Sequence, residues 1–291
     1  MNRLSHSPFL RFLLLLLCLS LCGCVSTASR PDWHYTSGST AADVPVGAEP
    51  QPTPRKKRVA LTFDDGPQYA NEGANTCAIV DELDKYGAHA TFFVVGNRIG
   101  TGDALAYAVA HGNEIGIHGF THNKENYFDR CSEEVYQNEI RKTADAICRA
   151  VPDYQVRLLR PPGGHLTDAR LADSPYSVIY WSVDSLDWES TYSKGDTDEE
   201  CRQKVDRIVD NVMRDVQDGS VILLHDIYQS TYDATVILLA RLYEAGYEVV
   251  SVSELFEGSL RPGCAYREYP TSNEKEKADA ARRVRHPFFD S

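Results

Sequence analysis

Between residues 59 and 250 the chain repeats one unit: a short apolar run, a longer amphipathic stretch, then another apolar run. Apolar runs this short, without polar alternation, predict strands covered on both faces, and the stretches between them predict crossover helices. The strands are expected at 59–63, 90–95, 114–118, 156–160, 178–182, 220–225 and 248–250. Helices are expected at 76–86, 104–110, 132–150, 200–216 and 232–244. Gly87, Gly112, Gly219 and Gly246 follow four of these helices, where a C-terminus accepts glycine best. Such alternation predicts an α/β fold with a mostly parallel sheet, doubly wound or closed as a barrel, and functional groups at the C-terminal strand ends. Asp64, His118, Arg160, Asp184 and His225 all fall at or near those ends.

The flanks differ from this core. Residues 1–23 carry Arg3 and Arg11, no acid, and an apolar stretch from Phe12 to Leu21. That pattern predicts a signal peptide, since the stretch is too short to span a bilayer unaided. Its ending, Leu21-Cys22-Gly23-Cys24, resembles a bacterial lipobox, which makes Cys24 the expected acylated N-terminus. Residues 24–55 are rich in Ser, Thr, Ala, Gly and Pro and predict a disordered tether reaching about 30 Å. A catalytic domain is expected over 56–260. Residues 261–291 are polar, without a periodic apolar face, and predict a mobile tail in which Tyr266, Tyr269, Phe288 and Phe289 are the candidates for docking.

Removing residues 1–23 leaves 28 Lys and Arg against 42 Asp and Glu, a balance that argues against a nucleic-acid partner. Beyond Cys24 the cysteines are Cys77, Cys131, Cys148, Cys201 and Cys264. No CxxC spacing occurs among them, so a structural zinc site is not expected, and at most two disulfides are possible.

Thr62-Phe63-Asp64-Asp65-Gly66-Pro67 sets two adjacent carboxylates where a strand enters a turn, so the acids point differently and can take different tasks. His118-Gly119-Phe120-Thr121-His122 places two imidazoles four residues apart, close enough to reach one cation. With Asp65 they make a two-His, one-carboxylate set, which leaves coordination positions open and so implies catalysis. Leu159-Arg160-Pro161-Pro162-Gly163-Gly164 ends a strand on a cation able to hold a carboxylate. Trp181 to Trp188 contributes Asp184 and Asp187 between two indoles, and Val221 to Asp226 ends an apolar strand on His225.

These five motifs, TFDDGP, HGFTH, RPPGG, DSLDW and LLHD, resemble in order and placement those of the polysaccharide deacetylase family, the NodB-homology domain. The resemblance implies a distorted, incomplete (β/α) barrel and metal-dependent hydrolysis of N-acetyl or O-acetyl groups on a polysaccharide. By motif position, Asp64 matches the general base; Asp65, His118 and His122 match the ligands of one divalent ion, zinc or a substitute such as cobalt. Arg160 matches the residue that orients the base, His225 the general acid, and Asp187 the acid that tunes Arg160 or His225. Trp188 and Leu223 match the acetyl pocket, and the Gly163 N–H an oxyanion donor. Two positions depart from the pattern: Gly119 stands where Ser or Thr is usual, and Gly163 where an aromatic residue is usual, so one cleft wall is expected to lack its ring.

An anchored, tethered domain outside a bacterial cell meets wall glycan first, so the expected substrate is N-acetylglucosamine of peptidoglycan. The protein is expected as a monomer on the extracellular face of the membrane, or secreted if Cys24 is not acylated. Acetylxylan esterase, chitooligosaccharide deacetylase and a non-catalytic glycan-binding lipoprotein stay open as alternatives.

Overall fold

The structure is a computed structural model and describes residues 55–68 and 74–270. The expected signal peptide, Cys24, nearly all of the tether and the end of the tail lie outside the described residues. The described strands are β1 (Lys57–Asp64), β2 (Thr91–Val94), β3 (Glu114–Ile117), β4 (Leu158–Leu159), β5 (Ser177–Ile179), β6 (Val183–Asp184), β7 (Val221–His225), β8 (Tyr247–Val249) and β9 (Ala265–Tyr266). The α-helices are α1 (Ala74–Asp84), α2 (Asp103–Ala110), α3 (Glu133–Ala150), α4 (Asp168–Ala172), α5 (Asp198–Asp215), α6 (Gln229–Glu244) and α7 (Val252–Leu255).

The strands pair in parallel in the order β6-β7-β1-β2-β3-β4-β5-β9, with β8 against the first residues of β1. β5 and β6 are consecutive in the chain but belong to opposite sides of that order. Only residues 180–182 join them, a reach of roughly 10 Å, so the sheet must curl until its two sides almost meet. β5 and β6 do not pair with each other, which leaves the barrel incomplete, as the motifs imply. The single strand expected at 178–182 is therefore two short ones, because the chain crosses the gap between them.

Part of the expected mobile tail, residues 265–269, is paired into the sheet. Ala265–Tyr266 adds β9 beside β5, and the chain then reaches across the gap to β7. Glu268 bridges Ser220, and the Tyr269 N–H donates to the Gly219 carbonyl at 2.8 Å. Residues 265–269 carry too little apolar periodicity to reveal this, since a strand this short is held by main-chain pairing.

Alternation along the strands separates two environments. Val59, Leu61 and Phe63 of β1, with Phe92 of β2 and Ile222 and Leu224 of β7, join the cluster that includes buried residues of the helices. Phe63 stacks on Phe92, its partner across the sheet, at 5.1 Å. The alternate residues Ala60, Phe93 and Val221 pack instead with Val252, Leu255 and Phe256, so α7 fills the base of the barrel. Along β1 the same inward-facing row continues through Thr62 to Asp64, and along β7 through Leu223 to His225. The row is apolar at the base and ionisable at the rim.

Candidate active site

Asp64 ends β1 almost fully buried, and Arg160 Nη1 bonds its Oδ1 at 2.8 Å. Arg160 is itself wholly inside the barrel. Its Nη1 also donates to Thr62 Oγ1 at 2.8 Å, and its Nε and Nη2 donate to the Ile179 and Tyr180 carbonyls at 3.0 Å. Those carbonyls lie where β5 ends, so the guanidinium both anchors Asp64 and supplies donors to two main-chain oxygens inside the barrel. Phe93 covers its face at 4.3 Å. Burial raises the Asp64 carboxyl above the ordinary range, and Arg160 and His225 pull it back.

Asp65 follows with φ of 73°, and the Arg98 guanidinium donates to its carbonyl at 2.7 Å. A non-glycine residue in this region costs about 1–3 kcal/mol. The turn sends the Asp65 carboxylate toward the histidines while Asp64 faces Arg160. His118, at the end of β3, donates from Nδ1 to the Arg160 carbonyl at 2.8 Å, which leaves Nε2 as a lone pair 3.6 Å from Asp64 and 3.7 Å from Asp65. Burial pushes its pKa down to about 3, so the ring is neutral at physiological pH. His122, with φ of 52°, brings its Nε2 to 3.3 Å from Asp65 Oδ1.

One ligand atom from each of Asp65, His118 and His122 lies within 4.8 Å of the others. Asp65 Oδ1 is buried and accepts no hydrogen bond. A buried carboxylate oxygen without a donor is costly, and a divalent cation between it and the two imidazoles removes that cost. The residues fit such an ion by donor type and by this unmet charge.

His225 ends β7 beside Asp64, its register partner on β1. Its Nδ1 lies 2.8 Å from Asp187 Oδ1, while Asp187 Oδ2 accepts from the His225 N–H and the Thr231 hydroxyl, both at 2.7 Å. Asp187 is fully buried. Of the two partners that the motif resemblance offers it, the bonded one is His225. Burial opposes charge on the His225 ring, but Asp187, with Asp64 and Asp65 adding, pushes its pKa up to about 9. One rim thus carries a carboxylate held by a cation and an imidazole held by a carboxylate.

The remaining expected residues surround these. Gly163 lies exposed in the turn after β4 with φ of 61°. A Cβ there would stand 2.9 Å from the His165 ring and 3.0 Å from the Tyr127 ring. The wall therefore does not lack a ring, contrary to expectation: Tyr127 stacks on His165 at 5.0 Å and fills the place a side chain at 163 would take. Leu223 is buried one inward position below His225, and Trp188 is half exposed beside Asp187.

The sequence model of the family described as "Polysaccharide deacetylase" matches residues 51–175. The chitooligosaccharide deacetylase of Bradyrhizobium sp. (strain ANU 289) is 33% identical over 59% of this chain and 72% of its own. The chain belongs to the polysaccharide deacetylase family. Within it, the peptidoglycan-N-acetylmuramic acid deacetylase PdaC of Bacillus subtilis (strain 168) is 37% identical over 70% of this chain. The match spans only 40% of that relative's length. Among solved deacetylase structures, one described as "T48 deacetylase with substrate" superposes with a TM-score of 0.63 at 33% identity, covering 72% of this chain and 96% of that one.

Two residues of this deacetylase domain escaped the sequence. Tyr127 lies between motifs and carries no local signal. Glu139 does carry one: it falls on the stripe of α3 formed by Tyr136, Ile140, Thr143 and Ile147, which is buried, and an acid on such a face demands partners.

Proposed function

We propose that the protein hydrolyses N-acetyl groups on an extracellular polysaccharide, with N-acetylglucosamine residues of peptidoglycan as its substrate. The observation that carries this reading is the pair of dyads, Arg160–Asp64 and Asp187–His225, whose Asp64 and His225 are neighbours on adjacent strand ends, together with the trio of candidate ligands that begins at Asp65. The names of the relatives support the choice of an acetylated sugar polymer.

In this reading Asp65, His118 and His122 hold one divalent ion, zinc or in its place cobalt. When bound, the ion supplies Lewis acidity to the acetyl carbonyl. Asp64 accepts the proton of the attacking water, and Arg160 fixes the carboxylate in one rotamer for that transfer. The Gly163 N–H donates to the oxyanion as charge develops there. His225, its Nδ1 engaged by Asp187, gives the proton on Nε2 to the departing amine. Leu223 and Trp188 bound the acetyl methyl, and Tyr127 on His165 offers a flat apolar face to a sugar ring.

Cys24 carries the lipid in this reading, holding the domain outside the membrane within reach of wall glycan. Labelled fatty acid should enter the full chain and not a Cys24→Ala variant. Chitooligosaccharides are the second reading, favoured by the Bradyrhizobium relative. The deciding measurement is acetate released by the purified protein from peptidoglycan fragments, chitooligomers and acetylxylan. Release from acetylxylan alone would replace the amidase assignment with an esterase, and release from none would leave a binding protein.

A further inference from the structure

The loop 118–122 delivers two of the three candidate ligands in a conformation the chain resists. Gly119 has φ of 76° and His122 φ of 52°. Something must hold it, and each side of its backbone is held separately. On the carbonyl side, the Gly96 and Asn97 N–H groups donate to the Gly119 and Phe120 oxygens at 2.9 and 3.0 Å. On the N–H side, one carboxylate does the work: Glu139 Oε2 accepts from Phe120 N at 2.6 Å and Thr121 N at 2.8 Å. Its Oε1 accepts from Thr121 Oγ1 at 2.8 Å and Asn126 Nδ2 at 3.1 Å.

Glu139 is only 6% exposed, and among the described residues no Lys, Arg or His pairs with it. Behind the loop that faces the cation site thus stands a buried carboxylate bonded to four neutral donors and to no cation. That placement costs desolvation with no ion pair to offset it, an arrangement expected where charge and geometry serve a neighbouring group. Gly119 belongs to the same design. A Cβ there would lie 2.9 Å from Pro162 Cγ and 3.3 Å from Glu139 Oε2, so the usual Ser or Thr side chain has no room, and Glu139 supplies the tie that a hydroxyl would otherwise make.

We propose that Glu139 is the positioning residue of the metal-binding loop: its four hydrogen bonds to residues 120–126 fix His118 and His122 in ligating geometry before the cation arrives. This rests on the metal reading above and extends it to a residue of α3 that does not touch the cation or the substrate.

The test is cation affinity of the full chain, measured by competition with a chromophoric chelator for zinc, together with the visible spectrum of the cobalt form. Glu139→Gln keeps the shape but removes the charge and turns one acceptor into a donor facing donors. It should weaken zinc binding by about 10–100-fold and alter the cobalt bands, with circular dichroism of the metal-free protein still native. A merely structural glutamate would lower the melting temperature of the metal-free protein and leave affinity and spectrum of the folded fraction as in wild type; that result overturns the proposal. Should Glu139→Gln not fold, Thr121→Val removes the hydroxyl that donates to Glu139 and also accepts from Asn126 Nδ2 at 3.1 Å and Asn123 N at 3.4 Å, and should weaken zinc by at least about 2–10-fold, the worth of one hydrogen bond. Unchanged affinity there overturns it equally. Failure of the wild type itself to bind zinc or cobalt would instead defeat the metal reading.

Discussion

Asp64 and His225 are register partners at the ends of adjacent parallel strands, yet each is bonded to a buried group of opposite charge type drawn from elsewhere: Asp64 to Arg160, His225 to Asp187. Bonded directly to each other, they would share one proton and could not act as separate base and acid. Separate counter-groups keep a proton acceptor and a proton donor on one rim at the same pH.

The adjacent carboxylates should separate by substitution. Asp64→Asn should retain bound zinc while kcat falls by at least about 100-fold, the usual share of a general base. Asp65→Asn should chiefly lose zinc. Metal content by elemental analysis decides between them, and equal content in both variants would put Asp65 outside the coordination shell.

The basic limb of the pH profile should lie high and should belong to His225. Its pKa is raised to about 9, so the protonated ring persists through neutral pH and activity should fall as pH rises through that value. Asp187→Asn removes the carboxylate that raises it, so the limb should move toward lower pH. Profiles of kcat/KM for the two proteins check this; an unmoved limb would detach it from His225.

Loss of the acid should hurt amides more than esters, because an amine leaves poorly unless protonated. His225→Ala should therefore reduce kcat/KM on N-acetylglucosamine oligomers far more than on an activated aryl acetate, whose aryloxide leaves without being protonated. Equal proportional losses would reduce His225 to a residue lining the cleft.

Gly119→Ala should destabilise the domain by about 1–2 kcal/mol for the left-handed backbone alone, with the approach to Pro162 adding to it. For a domain of this size that is a fall in melting temperature of about 2–4 °C per kcal/mol. Thermal unfolding of the metal-free protein measures it, and an unchanged midpoint would mean that the loop relaxes without cost.

Much of the architecture was legible because strands and crossover helices write their periods locally, and strand ends place Asp64, His118, Arg160 and His225 on one rim in any parallel α/β arrangement. The candidate ligands Asp65, His118 and His122 stood out for the same reason, and they do converge. What the sequence by itself determined was this set of elements and the chemical types at their ends. Only the tertiary structure decided the partners. Sheet order pairs Asp64 with His225 across the chain, brings Glu139 from a helix face under the histidine loop, and sets Tyr127 where position 163 lacks a side chain. It also carries residues 265–269 across the barrel's gap. Each of these contacts joins residues distant in sequence by main-chain pairing, burial or a hydrogen bond, and none leaves a period along the chain.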